Sequence, residues 1–173
     1  DAHVRCVQGE GLKQLRFYEY KGYKAIRIGK QIWMNDYLSI ESPNSICYLD
    51  DSEECSKGRY YPYSEALSIC PEGWHLPSKS EAITYVNTLK KEGCDKKSTR
   101  CGIQSTQGVY VPKTGNFEDI GGDVMLWTSS KNFLIIQEQL INKLKIEEFS
   151  RSVSENWKVA VRCIADDEDK KEE

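Results

Sequence analysis

Cysteine is the residue type best placed to do chemistry in this chain, and there are seven of them. Oxidised in pairs they staple a fold, as thiolates they hold metal, and a leftover one bridges to another chain. Cys47 with Cys55, and Cys94 with Cys101, lie close in sequence and flank loop residues, so local pairing costs little ordering. Cys70 and Cys163 then remain for one long-range bond between a helix end and the last strand. By loop-closure arithmetic each short bridge is worth about 2.5 kcal/mol and the long one about 4.5 kcal/mol. Zinc is the alternative. Its usual ligand pairs are more tightly spaced, and neither His3 nor His75 sits beside a cysteine pair in sequence, so disulfides are preferred. Cys6 is the remainder, available for an intermolecular bridge.

Other reactive side chains are better explained as structure. His75, in the run GWHLP, needs a nucleophile and an orienting acid to act as a base, and Ser78 and Ser80 serve better as helix caps. Glu65 and Glu81 read as helix-surface or capping residues before they read as a glycosidase pair. Glu118, Asp119 and Asp123 form an acid cluster able to hold a cation, yet a solvated loop accounts for them more simply. The expectation is therefore no catalytic residue, no metal and no cofactor, with the ligand-binding residues left open.

The elements that position these groups follow from local pattern. Residues 14–40 read as three extended runs, QLRFYEY, YKAIRI and QIWMNDYLSI, separated by the turn signals Lys21-Gly22 and Gly29-Lys30. Residues 41–62 look like a polar loop carrying Cys47 and Cys55. A helix is expected from near Pro62 to Pro71, with Ala66, Leu67 and Cys70 on one face. A second opens on a capping box, Ser78 with Glu81, carries Ala82, Val86 and Leu89 as a stripe, and stops at Gly93. Residues 94–122 read as loops and short strands, and Val124–Ser130 as a buried strand. Residues 133–149 fit helix and strand alike. Trp157–Arg162 reads as a strand with Val159, Val161 and Cys163 on one side.

Composition narrows the class. At 173 residues the chain is about one domain, and a net charge of -3 gives no reason to expect nucleic acid. No run reaches the length of a membrane span. Ten Tyr and four Trp either fill a strand-rich core or present a binding face. The cysteine load predicts an oxidising compartment, so the polar start DAHVRCVQGE is expected to follow a removed signal or preceding domain. The run AHVRCVQGE at 2–10 echoes VAVRCIADDE at 159–168. Either this is chance, or residues 1–13 are the closing strand of another copy, or a subunit lends the strand to its neighbour. The tail at 167–173 is acidic, without apolar residues, and expected to be disordered.

Four runs carry a family likeness: YKAIRIGKQIWMNDYLS, CYLDDSEECSKGRYYPYSEALSICPEGWHLPSKSE, LWTSS and VAVRCIAD. In that order they resemble the Fibrobacter succinogenes major paralogous domain over residues 14–166, departing from it at 100–122 and 131–156. That family is similar to C-type lectin-like folds and to the formylglycine-generating enzyme architecture. The resemblance implies an α+β, C-type lectin-like fold, two helices packed on short twisted antiparallel sheets and stapled by disulfides. It places Ala66, Cys70, Gly73, Leu76, Glu81, Trp127 and Cys163 at recurring positions of such folds. It does not bring a calcium-dependent sugar site, because Glu41-Ser42-Pro43-Asn44 lies before the first helix and the strand reads Trp127-Thr128-Ser129. Nor does any cysteine match the reactive pair of the formylglycine-generating enzymes. The family is typically secreted or surface-exposed in bacteria. The expected function is thus a non-enzymatic extracellular or cell-surface module for adhesion or ligand binding, surface glycans included. The alternative is a structural subunit of a filament or tandem array, partnered by other copies of itself or neighbouring domains through its N-terminal strand.

Overall fold

The computed structural model of the chain describes residues 17–94, 102, 106–119, 124–136, 145–148 and 156–167. Its first three strands, β1 (Phe17–Tyr20), β2 (Tyr23–Ile28) and β3 (Gln31–Met34), form the antiparallel meander that the turn signals predict. Lys21 and Gly22 turn the first hairpin with φ of 45° and 81°, the left-handed pair that matches strand twist in a two-residue loop. The third run is shorter than expected. Beyond Met34 the chain leaves the sheet, and Leu38 instead bonds through its amide to the carbonyl of Val161.

The remaining elements are β4 (Tyr60–Pro62), α1 (Tyr63–Ala66), β5 (Trp74–His75), α2 (Lys79–Lys91), β6 (Val109–Val111), β7 (Asn116–Glu118), β8 (Val124–Trp127), β9 (Asn132–Ile136), β10 (Lys145–Glu148), β11 (Lys158–Ala160) and β12 (Ile164–Ala165). One sheet has the order β1-β2-β3-β12-β5; the other runs β10-β9-β8-β11-β6-β7, with β4 also paired to β11. The protein is thus mixed α+β, mostly sheet, with two α-helices among the described residues. The stretch 133–149, open between helix and strand, is strand at both described ends, β9 pairing with β10.

Strand parity explains why so many strands are apolar on both faces. Tyr61, Met125, Trp127, Ile135, Val159, Val161 and Cys163 enter one buried cluster. Their neighbours Tyr60, Val124, Leu126, Leu134, Ile136, Ala160 and Ile164 enter a second. A strand between two apolar layers must be hydrophobic at every position, which is why VMLW reads as a continuous run. Val159, Val161 and Cys163 do share a side, as their alternation predicts. The element differs: Lys158–Ala160 pairs in the larger sheet, and after a break Ile164–Ala165 joins the smaller one. This one segment ties the two sheets together.

Both helices sit where expected, at different lengths. In α2 the Ser78 side chain accepts from the Glu81 amide while Glu81 accepts from the Ser78 amide, the full capping box. Ala82, Val86 and Leu89 are buried as predicted, joined by Tyr85. The first helix is a single turn, Tyr63–Ala66, with Pro62 outside it as N-cap. Leu67 is 50% exposed, so the expected face with Ala66 does not form. Residues 41–62, read as polar loop, also contain β4, whose Tyr60 and Tyr61 are buried.

Two disulfides join described residues, Cys47 to Cys55 and Cys70 to Cys163. The second spans 93 residues and links the stretch after α1 to the β11–β12 segment. Cys94 is also disulfide-bonded, its partner lying outside the described residues, as do Cys101 and Cys6. The N-terminal echo at 2–10, the 1–13 extension and the tail from 168 onward lie there too.

Candidate functional site

Phe117, on β7, is the centre of an aromatic cluster that sequence pattern did not reveal. Its ring centroid lies 5.0 Å from Tyr48, 4.9 Å from Tyr60 and 5.5 Å from Tyr110, each pair near edge-to-face. Such pairs contribute about 0.5–1.5 kcal/mol beyond burial. Three separate stretches supply these rings: the Cys47–Cys55 loop, strand β4 and the β6–β7 hairpin. Tyr60 is fixed further where its hydroxyl accepts from the Gln107 amide at 2.9 Å. Burial raises the Tyr60 phenol pKa above its ordinary value, with the Gln107 amide opposing, so it stays protonated at neutral pH.

Between that loop and that hairpin lies a groove of about 490 Å³, floored by Tyr110 and Phe117, walled by Ile46 and Cys47 and rimmed by Leu49, Asp50 and Asn116. Its rim is strained. Leu49 and Asp50 both hold left-handed backbone, φ 53° and 55°, a conformation disfavoured for residues with a side chain. Leu49 is moreover 69% exposed. Consecutive strained residues displaying an apolar side chain at a groove edge mark a place where shape outranks local stability. Lys158 stands over the Tyr110 ring at 5.4 Å.

Two other hollows are lined by charge. One of about 400 Å³ lies on the far side of the same loop, beside Tyr48, Asp36, Glu54 and Lys57. Glu54 and Lys57 already pair there at 2.7 Å. Another, of about 500 Å³, is lined by Arg27, Lys30, Glu81, Asp166 and Asp167. At its edge His75 is held between two carboxylates. Nδ1 lies 2.5 Å from Asp166 Oδ1, and Nε2 lies 2.9 Å and 3.0 Å from the two oxygens of Glu81. The Glu81 carboxylate raises the His75 pKa; burial opposes and Asp166 reinforces, and the net shift is upward. Burial pushes Glu81 up, but hydrogen bonds from His75 and Ser78 outweigh it and hold its pKa below the ordinary value.

This places most of the sequence candidates. His75 gains the orienting acids that the sequence lacked, but both ring nitrogens are engaged by them. Glu81 is both cap and histidine partner. Glu65 is not a bare surface acid: it accepts from Ser42 Oγ, from the Asn44 amide at 3.0 Å and from Asn44 Nδ2 at 2.7 Å, pinning the 42–44 loop to α1. Ser78 and Ser80 hydroxyls meet at 3.1 Å, and Ser78 caps α2. Of the acid cluster, Glu118 accepts from Thr114 Oγ1 at 2.6 Å, and Asp123 lies outside the described residues. Among the described residues no group of three or more His, Cys, Asp or Glu is arranged to hold a metal ion. Trp127 is fully buried, its indole donating to the Tyr61 carbonyl at 2.7 Å, so it presents no face to a ligand.

Comparison of the chain with protein-family models, with curated proteins and with solved structures gave no significant match. The aromatic groove was missed because Tyr110 and Phe117 lie in a Gly- and Thr-rich stretch that reads as loop. The one local signal was the alternation VYV followed, past Gly115, by NFE.

Proposed function

We infer that this chain is a non-enzymatic, secreted or cell-surface interaction module of C-type lectin-like fold, and that its groove takes a neutral oligosaccharide. The observation that carries this is the Phe117-centred groove with its strained Leu49–Asp50 rim. The aromatic floor offers an apolar face to the C–H surface of a sugar ring, and a few polar groups at the rim suit its hydroxyls. Asp50 and Asn116 occupy that rim. Metal-free binding is the mode its lining suits, since Asp50 is the one acid among the residues that line the groove.

Other features support the same reading. The disulfides fit an oxidising, extracellular setting. Among the described residues no helix is long and apolar enough to cross a membrane. With both ring nitrogens on carboxylates, His75 suits an ion-paired strut better than a general base. The filament alternative rests on Cys6 and residues 1–13, which lie outside the described residues, and no feature of the groove favours it.

Affinity electrophoresis through gels containing neutral hexose or N-acetylhexosamine polysaccharides tests the reading. The wild-type chain is expected to be retarded by one of them and Tyr110→Ala to run free. Equal mobility of the two in every gel would remove the groove from the account.

A further inference from the structure

The wall of the groove contains a second chemistry. Arg59 reaches across the base of the Cys47–Cys55 loop, with Nη1 3.1 Å from Cys47 Sγ and 3.4 Å from Cys55 Sγ. The guanidinium is held in place: Nε donates to Ser45 Oγ at 2.9 Å and Nη2 to the Ser45 carbonyl at 3.3 Å. Its nearest carboxylate is Glu41 at 4.0 Å, and that side chain is 83% exposed, so the pairing is weak. A fixed cation against two sulfurs does little for a disulfide, which carries no charge. It strongly stabilises either sulfur as a thiolate.

The Cys70–Cys163 bond differs in its span and in its neighbours. It pairs a fully buried Cys163 with a half-buried Cys70, and it closes a span of 93 residues. No hydrogen bond from a cation reaches its sulfurs among the described residues. The Cys47–Cys55 bond spans 8 residues and pairs a buried Cys47 with a half-buried Cys55. Exposure is thus alike in the two, and they separate by span and by the cation: one closes a long stretch of chain, the other a short loop beside Arg59.

We propose that Cys47–Cys55 is a thiol–disulfide exchange site, reduced by a dithiol, and that its opening releases the wall of the groove. The reductant's thiolate attacks Cys55 Sγ, the more accessible sulfur. A mixed disulfide forms there as the Cys47–Cys55 bond breaks, and the electron pair leaves on Cys47 Sγ, where Arg59 receives the charge. The reductant's second thiolate then attacks its own sulfur in the mixed disulfide and releases Cys55. Two electrons pass from the dithiol to the protein; the dithiol becomes a disulfide, and its two protons end on the two cysteines. A leaving sulfur whose charge a fixed cation stabilises departs faster, which is the contribution of Arg59.

Charge selects the reductant. Asp50, Asp51, Glu53 and Glu54 crowd the loop, while the cations nearby are Lys57, tied to Glu54, and Arg59. An anionic thiol is repelled, so the fitting partner is an uncharged dithiol or a protein dithiol with a basic face. The consequence for the groove follows from position and rests on the oligosaccharide reading above. Cys47, Leu49 and Asp50 form its wall and rim, and the strained backbone of Leu49 and Asp50 is held by the closed loop.

The test is graded reduction of the full chain, alkylation and mass mapping of the labelled cysteines. With dithiothreitol, Cys47 and Cys55 are expected to label well before Cys70 and Cys163. Between two monothiols at equal thiolate concentration, anionic glutathione should be slower than uncharged 2-mercaptoethanol by about tenfold. Arg59→Gln should slow the dithiothreitol reaction about three- to tenfold without changing Cys70 and Cys163. Should that variant misfold, Ser45→Ala, which removes the Nε anchor and leaves the carbonyl one, should slow it more modestly in the same direction. Simultaneous labelling of all four cysteines, or labelling of Cys70 and Cys163 first, would overturn the proposal. Oligosaccharide retention of the oxidised chain is scored separately: its absence sinks the groove reading and leaves the labelling order to judge the exchange site.

Discussion

Tyr48 and Phe117 meet edge to face with their centroids 5.0 Å apart, although 69 residues separate them in the chain. This contact ties together the two stretches that line the groove, because Tyr48 belongs to the Cys47–Cys55 loop and Phe117 to β7. Phe117→Leu keeps apolar volume but removes three ring pairs. Stability should fall by about 1–2 kcal/mol in urea titration, and oligosaccharide affinity by about tenfold.

Gly108 approaches the partner strand of the same hairpin too closely for a side chain. Its φ is +86°, and a Cβ there would lie 2.4 Å from the Glu118 carbonyl oxygen. Gly108→Ala should therefore part the start of β6 from the end of β7, costing more than about 2 kcal/mol. Hydrogen exchange should show the loss concentrated in Val109–Val111 and Asn116–Glu118. Unchanged protection in these strands would contradict the assignment.

His75, Glu81 and Asp166 join β5, α2 and the end of β12, and their linkage to pH has a definite sign. The folded His75 pKa is raised, so its contribution is complete below the unfolded value near 6.5 and is lost as pH rises through the folded one. The folded Glu81 pKa is lowered, so its contribution is present above the unfolded value near 4.5 and is lost as pH falls through the folded one. The clamp is thus strongest between those limits. His75 is 39% exposed, so solvent screening holds each pair to about 0.5 kcal/mol and the clamp to about 1 kcal/mol. Urea midpoints of wild type and His75→Gln should differ most near pH 6 and converge at alkaline pH. A difference that grows above pH 8 would be the wrong sign.

What the sequence disclosed and what it hid divide by range. The α2 capping box, Ser78 with Glu81, was legible because its partners are three residues apart. Cys47 with Cys55 followed from short spacing, and Cys70 with Cys163 was what remained. VMLW announced a buried strand by being apolar at every position. The His75–Asp166 contact, 91 residues apart, has no local trace and depends on β12 pairing with β5. Tyr60 and Tyr61 were hidden in a polar stretch because their burial comes from β11. Leu67 was misread because a helix that lasts one turn gives no face to share. The groove itself is assembled from the 46–50 loop and the 110–117 hairpin, neither of which is hydrophobic enough alone to announce a site.

The long disulfide should matter more than the short one. Changing Cys70 and Cys163 together to Ser removes the link between the stretch after α1 and the segment that carries both sheets. About 3–4 kcal/mol should be lost in denaturant titration. The Cys47→Ser, Cys55→Ser pair, closing only a short loop, should cost about 2 kcal/mol while loosening the groove. Equal costs for the two pairs would contradict the division between a bond that closes a long span and one that closes a short loop.

The most direct test of the central claim is amide chemical-shift mapping of the oxidised chain during titration with neutral hexose and N-acetylhexosamine oligosaccharides. The groove account predicts saturable shifts confined to Ile46–Asp50, Tyr110 and Asn116–Phe117, and their disappearance in Tyr110→Ala. Shifts centred on Arg27, Lys30 and Asp166, or none with any sugar at millimolar concentration, would contradict it.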